Sequence, residues 1–244
     1  MTNKPYRFEF KYWASRQDAL SIERELGHFG MGPDTHSAST GGISWVTSLY
    51  FDSYEFKDYQ EKSAGLIRRK KLRARIYEPY LDKSKTVWLE IKKKNDVRVS
   101  KIRLKLNRDE WESFMSRGVT ALLALERAGL ENDAKNEIAW NLINYSAKPK
   151  VVVQYKRKSF VVPSSNLRIT FDTELKACKK SDLLYSGFMV DADLDDNIII
   201  EIKSNSALPF WLGEIIKKYN LKKEAISKYA RGVEAIFRYN SLPR

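Results

Sequence analysis

The chain has 244 residues, 43% of them hydrophobic and 12% aromatic, and its 44 Lys and Arg against 31 Asp and Glu give a formal net charge of +13. That length suits one large domain or two small ones with a filled core, and the positive excess points to an anionic partner: nucleic acid, polyphosphate, nucleotide or a membrane surface. A single cysteine, Cys178, excludes a disulfide framework and a multi-cysteine zinc site, and with only His28 and His36 as imidazoles any metal would be held mostly by carboxylates.

At the N-terminus, MTNKPYRFEFKYW interrupts every apolar run with charge and does not resemble a signal peptide. No stretch approaches the roughly 20 apolar residues of a membrane span, so a cytoplasmic protein is expected. RFEFKYW alternates Arg7, Glu9 and Lys11 with Phe8, Phe10 and Tyr12, the two-residue period of a strand with one charged and one apolar face. A helix comes next through SRQDALSIERELGHFG with Ser15 as N-cap and His28 as a polar helix-end residue. GPDTHSASTGG reads as a mobile loop that assigns His36 no chemistry. WVTSLYFD (45–52) is the next strand.

IRRKKLRARIYE (67–78) then crowds six basic side chains into twelve positions, with Leu72, Ala74 and Ile76 alternating with Arg73, Arg75 and Tyr77. VWLEIKKK sets Glu90 and Lys92 opposite Leu89 and Ile91, and KIRLKL sets Lys101, Arg103 and Lys105 opposite Ile102, Leu104 and Leu106. Helices are expected over 107–118, 119–130 and 133–145, then a strand VVVQYKRKSFVV (151–162) with Arg157 in phase with Tyr155 and Val153. LRITFD sets Arg168 and Asp172 against Ile169 and Phe171; IIIEIK sets Glu201 and Lys203 against Ile198, Ile200 and Ile202. LPFWLGEI, with Pro209 and Trp211, is expected to pack against the sheet or a second copy rather than a membrane, and a last helix is expected over 223–239. No repeat and no shift in composition marks a second domain, so the reading is one α+β domain over 1–244 in which amphipathic helices cover an antiparallel sheet.

A half-buried sheet has a wet face as a matter of course, but a solvated face mixes signs more evenly than this one. Three strands also share Glu-x-Lys, in Glu9-Phe10-Lys11, Glu90-Ile91-Lys92 and Glu201-Ile202-Lys203, each placing a carboxylate and an ammonium on one face. Carboxylates among guanidinium and ammonium groups suit a metal bound to phosphate. If the sheet curls with its charged faces inward, the cations converge on a hydrated channel that traps anions.

The ordered set RFEFKYW, SLYFD, RRKKLRARIYE, WLEIKKK, SKIRLKL, YKRKSFV, LRITFDTEL, IIIEIKS, LPFWLGEI and AISKYARGV resembles the triphosphate tunnel metalloenzymes, and within them the VTC (vacuolar transporter chaperone) catalytic domain of polyphosphate polymerases. The resemblance implies an antiparallel β-barrel forming a tunnel. It puts phosphate-binding roles on Lys11, Arg73, Arg75, Lys92, Lys101, Arg157, Arg168 and Lys228, to which the charged faces add Arg103 and Lys203. The metal role, for Mn²⁺ or Mg²⁺, falls on Glu201, with Glu9 and Glu90 as further wall carboxylates. Arg73, Arg75, Lys92, Arg157, Arg168 and Glu201 form the implied catalytic set.

Arg7 stands where the wider superfamily often has the first glutamate of Glu-x-Glu-x-Lys, which disfavours a thiamine-triphosphatase or adenylate-cyclase reading. The SPX domain and membrane helices of eukaryotic VTC proteins are not expected here, and Ala225 stands where some relatives offer a second basic side chain. The implied activity is transfer of the terminal phosphoryl group of ATP to a growing polyphosphate chain. A tripolyphosphatase or nucleoside triphosphatase on the same tunnel and a non-catalytic polyphosphate-binding module are the alternatives. No duplex nucleic-acid partner is expected, since no recognition helix stands out; association with a membrane protein or a second copy is left open.

Overall fold

The computed structural model describes residues 7–96, 98–162, 165–193 and 197–241. Its strands are β1 (Arg7–Ala14), β2 (Gly32–Pro33), β3 (Ser44–Asp52), β4 (Arg68–Ile76), β5 (Val87–Asn95), β6 (Arg98–Leu106), β7 (Lys148–Val161), β8 (Arg168–Lys179), β9 (Val190–Asp191) and β10 (Ile198–Ser204). The helices are α1 (Arg16–His28), α2 (Thr35–Ser39), α3 (Lys57–Ser63), α4 (Arg108–Arg117), α5 (Val119–Leu123), α6 (Gly129–Asn144), α7 (Phe210–Lys218) and α8 (Lys228–Ser241).

All strand pairings are antiparallel, and because β7 pairs with both β3 and β8, the order β7-β3-β4-β5-β6-β1-β10-β8 closes into a ring, with β2 and β9 as short additions. Among the described residues the shortest ladder in the ring is between β1 and β6, at Arg7↔Val99 and Phe8↔Arg98. Beyond that point the segment before α8 runs along β1, through a Tyr12↔Lys223 bridge and a hydrogen bond from the Glu224 N–H to the Lys11 carbonyl at 2.9 Å.

Strand alternation places charged residues inside the ring and apolar residues outside, where helices bury them. Leu72, Ala74, Leu89 and Leu104 pack under Trp111, Phe114, Leu122 and Ile138 of α4–α6. Tyr12, Ile169, Ile200 and Ile202 pack under Ala19, Ile22 and Leu26 of α1 and Leu212 and Ile215 of α7. The third cluster lies on the other face: Tyr50, Val151, Val153, Tyr155 and Ile199 meet Tyr229, Val233 and Ile236 of α8. There the helix approaches so closely that a Cβ on Gly232 would lie 2.8 Å from Val153 Cγ2.

Local sequence sets the caps. Ser15 accepts from the Asp18 N–H at 3.0 Å, and Asn107 with Glu110 forms a reciprocal capping box at α4. Several boundaries differ from expectation. The helix expected over 119–130 stops at Leu123, the next one starts at Gly129 instead of 133, β7 starts at Lys148 instead of 151, and α8 starts at Lys228, after Lys223 and Glu224 have paired with the edge of β1. The loop around His36 contains α2, capped by the Asp34 carboxylate through the Ser37 N–H at 2.7 Å, and His36 packs edge-on against Tyr77 at 5.6 Å. LPFWLGEI forms α7, whose Trp211 stacks on Phe29 at 4.4 Å. Among the described residues no helix is long and apolar enough to cross a membrane.

Candidate functional site: a cationic tunnel

The ring encloses a cavity of about 320 Å³ lined mainly by Lys and Arg, with Glu9, Glu201 and Glu224 as the carboxylates on its wall among the described residues. Every expected phosphate-binding residue reaches it: Lys11 from β1, Arg73 and Arg75 from β4, Lys92 from β5, Lys101 and Arg103 from β6, Arg157 from β7, Arg168 from β8, Lys203 from β10 and Lys228 from α8. Cross-strand register brings opposite charges face to face at Lys11↔Glu201, Glu9↔Lys203 and Arg73↔Glu90.

Four buried carboxylates organise these cations. Glu90 has no exposed surface; Arg73 binds its Oε2 through Nε at 2.9 Å and Nη2 at 2.8 Å, while Arg103 Nη2 at 2.9 Å and Lys101 Nζ at 3.5 Å take Oε1. Burial raises its pKa, but Arg73, Arg75, Lys101 and Arg103 outweigh this and hold it well below the carboxylate range. Glu90 therefore acts as the counter-ion that aims Arg73 and Arg103. Asp172, to which sequence reasoning gave no role, does the same opposite it: Arg157 grips it bidentately at 2.5 and 2.7 Å, and Lys228 Nζ lies at 2.6 Å.

Glu9 and Glu201 face the cavity. Lys92 Nζ lies 2.6 and 2.9 Å from the two oxygens of Glu9; Glu201 Oε2 accepts from Lys203 at 2.7 Å and Arg157 at 3.2 Å. Both carboxylates converge on the ammonium of Lys11, 3.5 Å from Glu9 Oε1 and 3.9 Å from Glu201 Oε1. Burial pushes both acids up, and Glu201 adds to this at Glu9, but the surrounding ammonium and guanidinium groups keep both ionised. No group of three or more His, Cys, Asp and Glu side chains able to hold a metal lies together among the described residues.

Arg75 is 6% exposed, with Nε donating to Ser48 Oγ at 3.0 Å. Arg168 sits at a mouth, 44% exposed, donating to Ser159 Oγ at 2.7 Å and paired with Asp34. Burial pulls Lys71, Lys101 and Lys203 down to about 7. Lys71, Arg69 and Lys94 also line the cavity and were not singled out, although each is in phase with an inward neighbour, Arg73 or Lys92; their period was the available signal. Ser227, 156 residues from Lys71, had none.

The VTC domain family model matches residues 6–237. The chain belongs to the VTC domain family. Two solved structures share the tunnel fold of this VTC domain. One is a Bacillus halodurans protein described as a candidate adenylate cyclase: 14% identity, TM-score 0.54, covering 91% of this chain and 94% of that one. The other is a candidate adenylyl cyclase from Hippeastrum, described as having a dominant triphosphatase activity: 13% identity, TM-score 0.53, covering 98% of this chain and 97% of that one. Against curated proteins the sequence finds no significant match.

Proposed function

We propose that this VTC domain is a metal-dependent phosphotransferase that moves the terminal phosphoryl group of ATP onto a polyphosphate chain held in the tunnel, and that 1–244 forms one such catalytic domain working in the cytoplasm. The observation that carries the reading is the convergence of Glu9 and Glu201 on one point, the Lys11 ammonium, inside a cavity walled mainly by cations. Cations alone would serve a binding module; ionised acids lining the same cavity weaken anion binding and need another purpose. The triphosphatase activity described for the Hippeastrum neighbour supports phosphoanhydride chemistry in this fold.

Two hard anionic oxygens beside a phosphate cavity suit Mn²⁺ or Mg²⁺, which is commonly held by one or two carboxylates and completed by substrate phosphates and water. Glu201 and Glu9 would hold it, and when bound it supplies charge neutralisation on the phosphate oxygens. The protein's part is positional. Arg73, Arg103 and Arg157, held rigid by Glu90 and Asp172, present planar forks to phosphoryl oxygens; Lys11, Lys92, Lys101, Lys203 and Lys228 act as point charges. Phosphoryl transfer asks for alignment and charge stabilisation more than covalent help. Arg75, 6% exposed and donating to Ser48, adds its charge to the same wall beside Arg73.

Incubating the pure protein with ATP and Mn²⁺ and resolving products by chain length tests the reading. Phosphate chains longer than three units are expected. Free phosphate alone would make the domain a hydrolase, and tripolyphosphate binding without nucleotide turnover would make it a binding module.

A further inference from the structure

Ser227 precedes α8, and its Oγ accepts from the Ala230 N–H at 3.2 Å, as a helix cap does, while lying 2.6 Å from Lys71 Nζ. Both side chains line the cavity. The preceding carbonyl, of Ile226, accepts from Lys11 Nζ at 2.9 Å, and that ammonium is the one on which Glu9 and Glu201 converge. Ser227 is thus a hydroxyl paired with an amine, next in the chain to the residue whose carbonyl binds the ammonium that the carboxylate pair shares. Among the described residues the other serine on the cavity wall is Ser44, which donates its hydroxyl to the Arg157 carbonyl at 3.3 Å.

We propose that Ser227 is a phosphoryl acceptor: its Oγ takes the γ-phosphoryl group of ATP, and the resulting phosphoserine primes the chain that the tunnel extends. The Oγ–P bond forms as the bond from phosphorus to the bridging oxygen breaks, ADP leaves with that electron pair, and the hydroxyl proton passes to the neutral amine of Lys71. Lys71 is suited to this. Among the described residues it makes no ion pair; burial, Lys11, Lys92 and Arg69 bring its pKa down to about 7 against the opposing Asp58, and the Tyr229 ring lies 5.3 Å away. The product dianion would sit at the positive end of the 14-residue α8 and beside Lys11 and Lys71, where both dipole and charge favour it. The inference rests on the tunnel being an ATP site and answers what that reading leaves open, the first acceptor.

The test is intact-mass and peptide analysis of acid-quenched protein after incubation with ATP and Mn²⁺, with polymer measured in the same samples. Wild type should gain about 80 Da, or multiples of it, at Ser227. Ser227→Thr should retain the adduct. Ser227→Asn, whose amide caps a helix as well as serine does but offers no hydroxyl, should show none. Lys71→Arg keeps the charge but cannot accept the proton, and should slow adduct formation at neutral pH by about tenfold or more. An adduct without polymer would keep Ser227 as acceptor and remove the polymerase reading. Polymer without an adduct, or an adduct that persists in Ser227→Asn, would overturn the assignment of Ser227 alone, and the absence of both would overturn the two together.

Discussion

Arg73 and Glu90 face each other across β4 and β5, and the guanidinium closes on Oε2 with two contacts of 2.8 and 2.9 Å while the carboxylate has no exposed surface. The side chain proposed to hold phosphate is therefore also half of a buried ion pair. Removing Arg73 therefore also takes the bidentate partner away from a buried carboxylate.

Arg73→Ala should abolish turnover and also destabilise the protein by about 2 kcal/mol or more, because it leaves a buried carboxylate short of its bidentate partner. Adding Glu90→Gln should recover part of the stability and none of the activity. Chemical denaturation of the two variants checks this; a fully stable Arg73→Ala would show that Arg103 and Lys101 neutralise Glu90 by themselves.

Glu201→Gln should separate catalysis from binding. The amide keeps the shape of β10, whose Ile198, Ile200 and Ile202 stay in their apolar cluster, but removes an anionic oxygen from the cavity. Metal-dependent turnover should fall by at least about a hundredfold, roughly 2.7 kcal/mol in barrier height, while tripolyphosphate binds as well as before or better. Wild-type turnover with Mn²⁺ would remove Glu201 from the metal site.

Tripolyphosphate should raise the melting temperature strongly at low salt by relieving repulsion among the wall cations, and the shift should shrink as salt screens them. Replacing Arg157 and Arg168 together by alanine should largely abolish it. A shift of equal size in that variant would place the anion elsewhere.

Burial disfavours the charge of Lys71, Lys101 and Lys203 and brings all three down to about 7. Between about pH 7 and the ordinary lysine value near 10.4, the unfolded chain binds more protons at these sites than the folded one, so their contribution makes the ligand-free protein more stable as pH rises through that window. Tripolyphosphate reverses the balance by favouring the charged form. Calorimetric titration at pH 8 in two buffers of different ionisation enthalpy should show net proton uptake on binding, and affinity should weaken from pH 7 to 9. A buffer-independent enthalpy would contradict this.

The sequence by itself determined the strands, their two unlike faces and several helix starts, because alternation and capping are local properties: Glu9 and Lys11 share a face whatever surrounds them, and Ser15 and Asn107 each cap the helix that begins at the next residue. The ordered motifs also named the tunnel and its cationic wall. Which carboxylates reach the cavity wall and which are sealed behind it depends on contacts between strands. Glu90 and Glu201 occupy equivalent Glu-x-Lys positions, yet one is sealed among three cations and the other opens to the cavity, since the neighbours that settle this come from other strands. Asp172 gained its role from Arg157 and Lys228 in the same way. The start of α8 moved because Glu224 found the free edge of β1, and Ser227 met Lys71 only when that segment crossed the ring. Contacts between distant segments leave no period in a sequence, and the chemistry proposed for Ser227 depends on one of them.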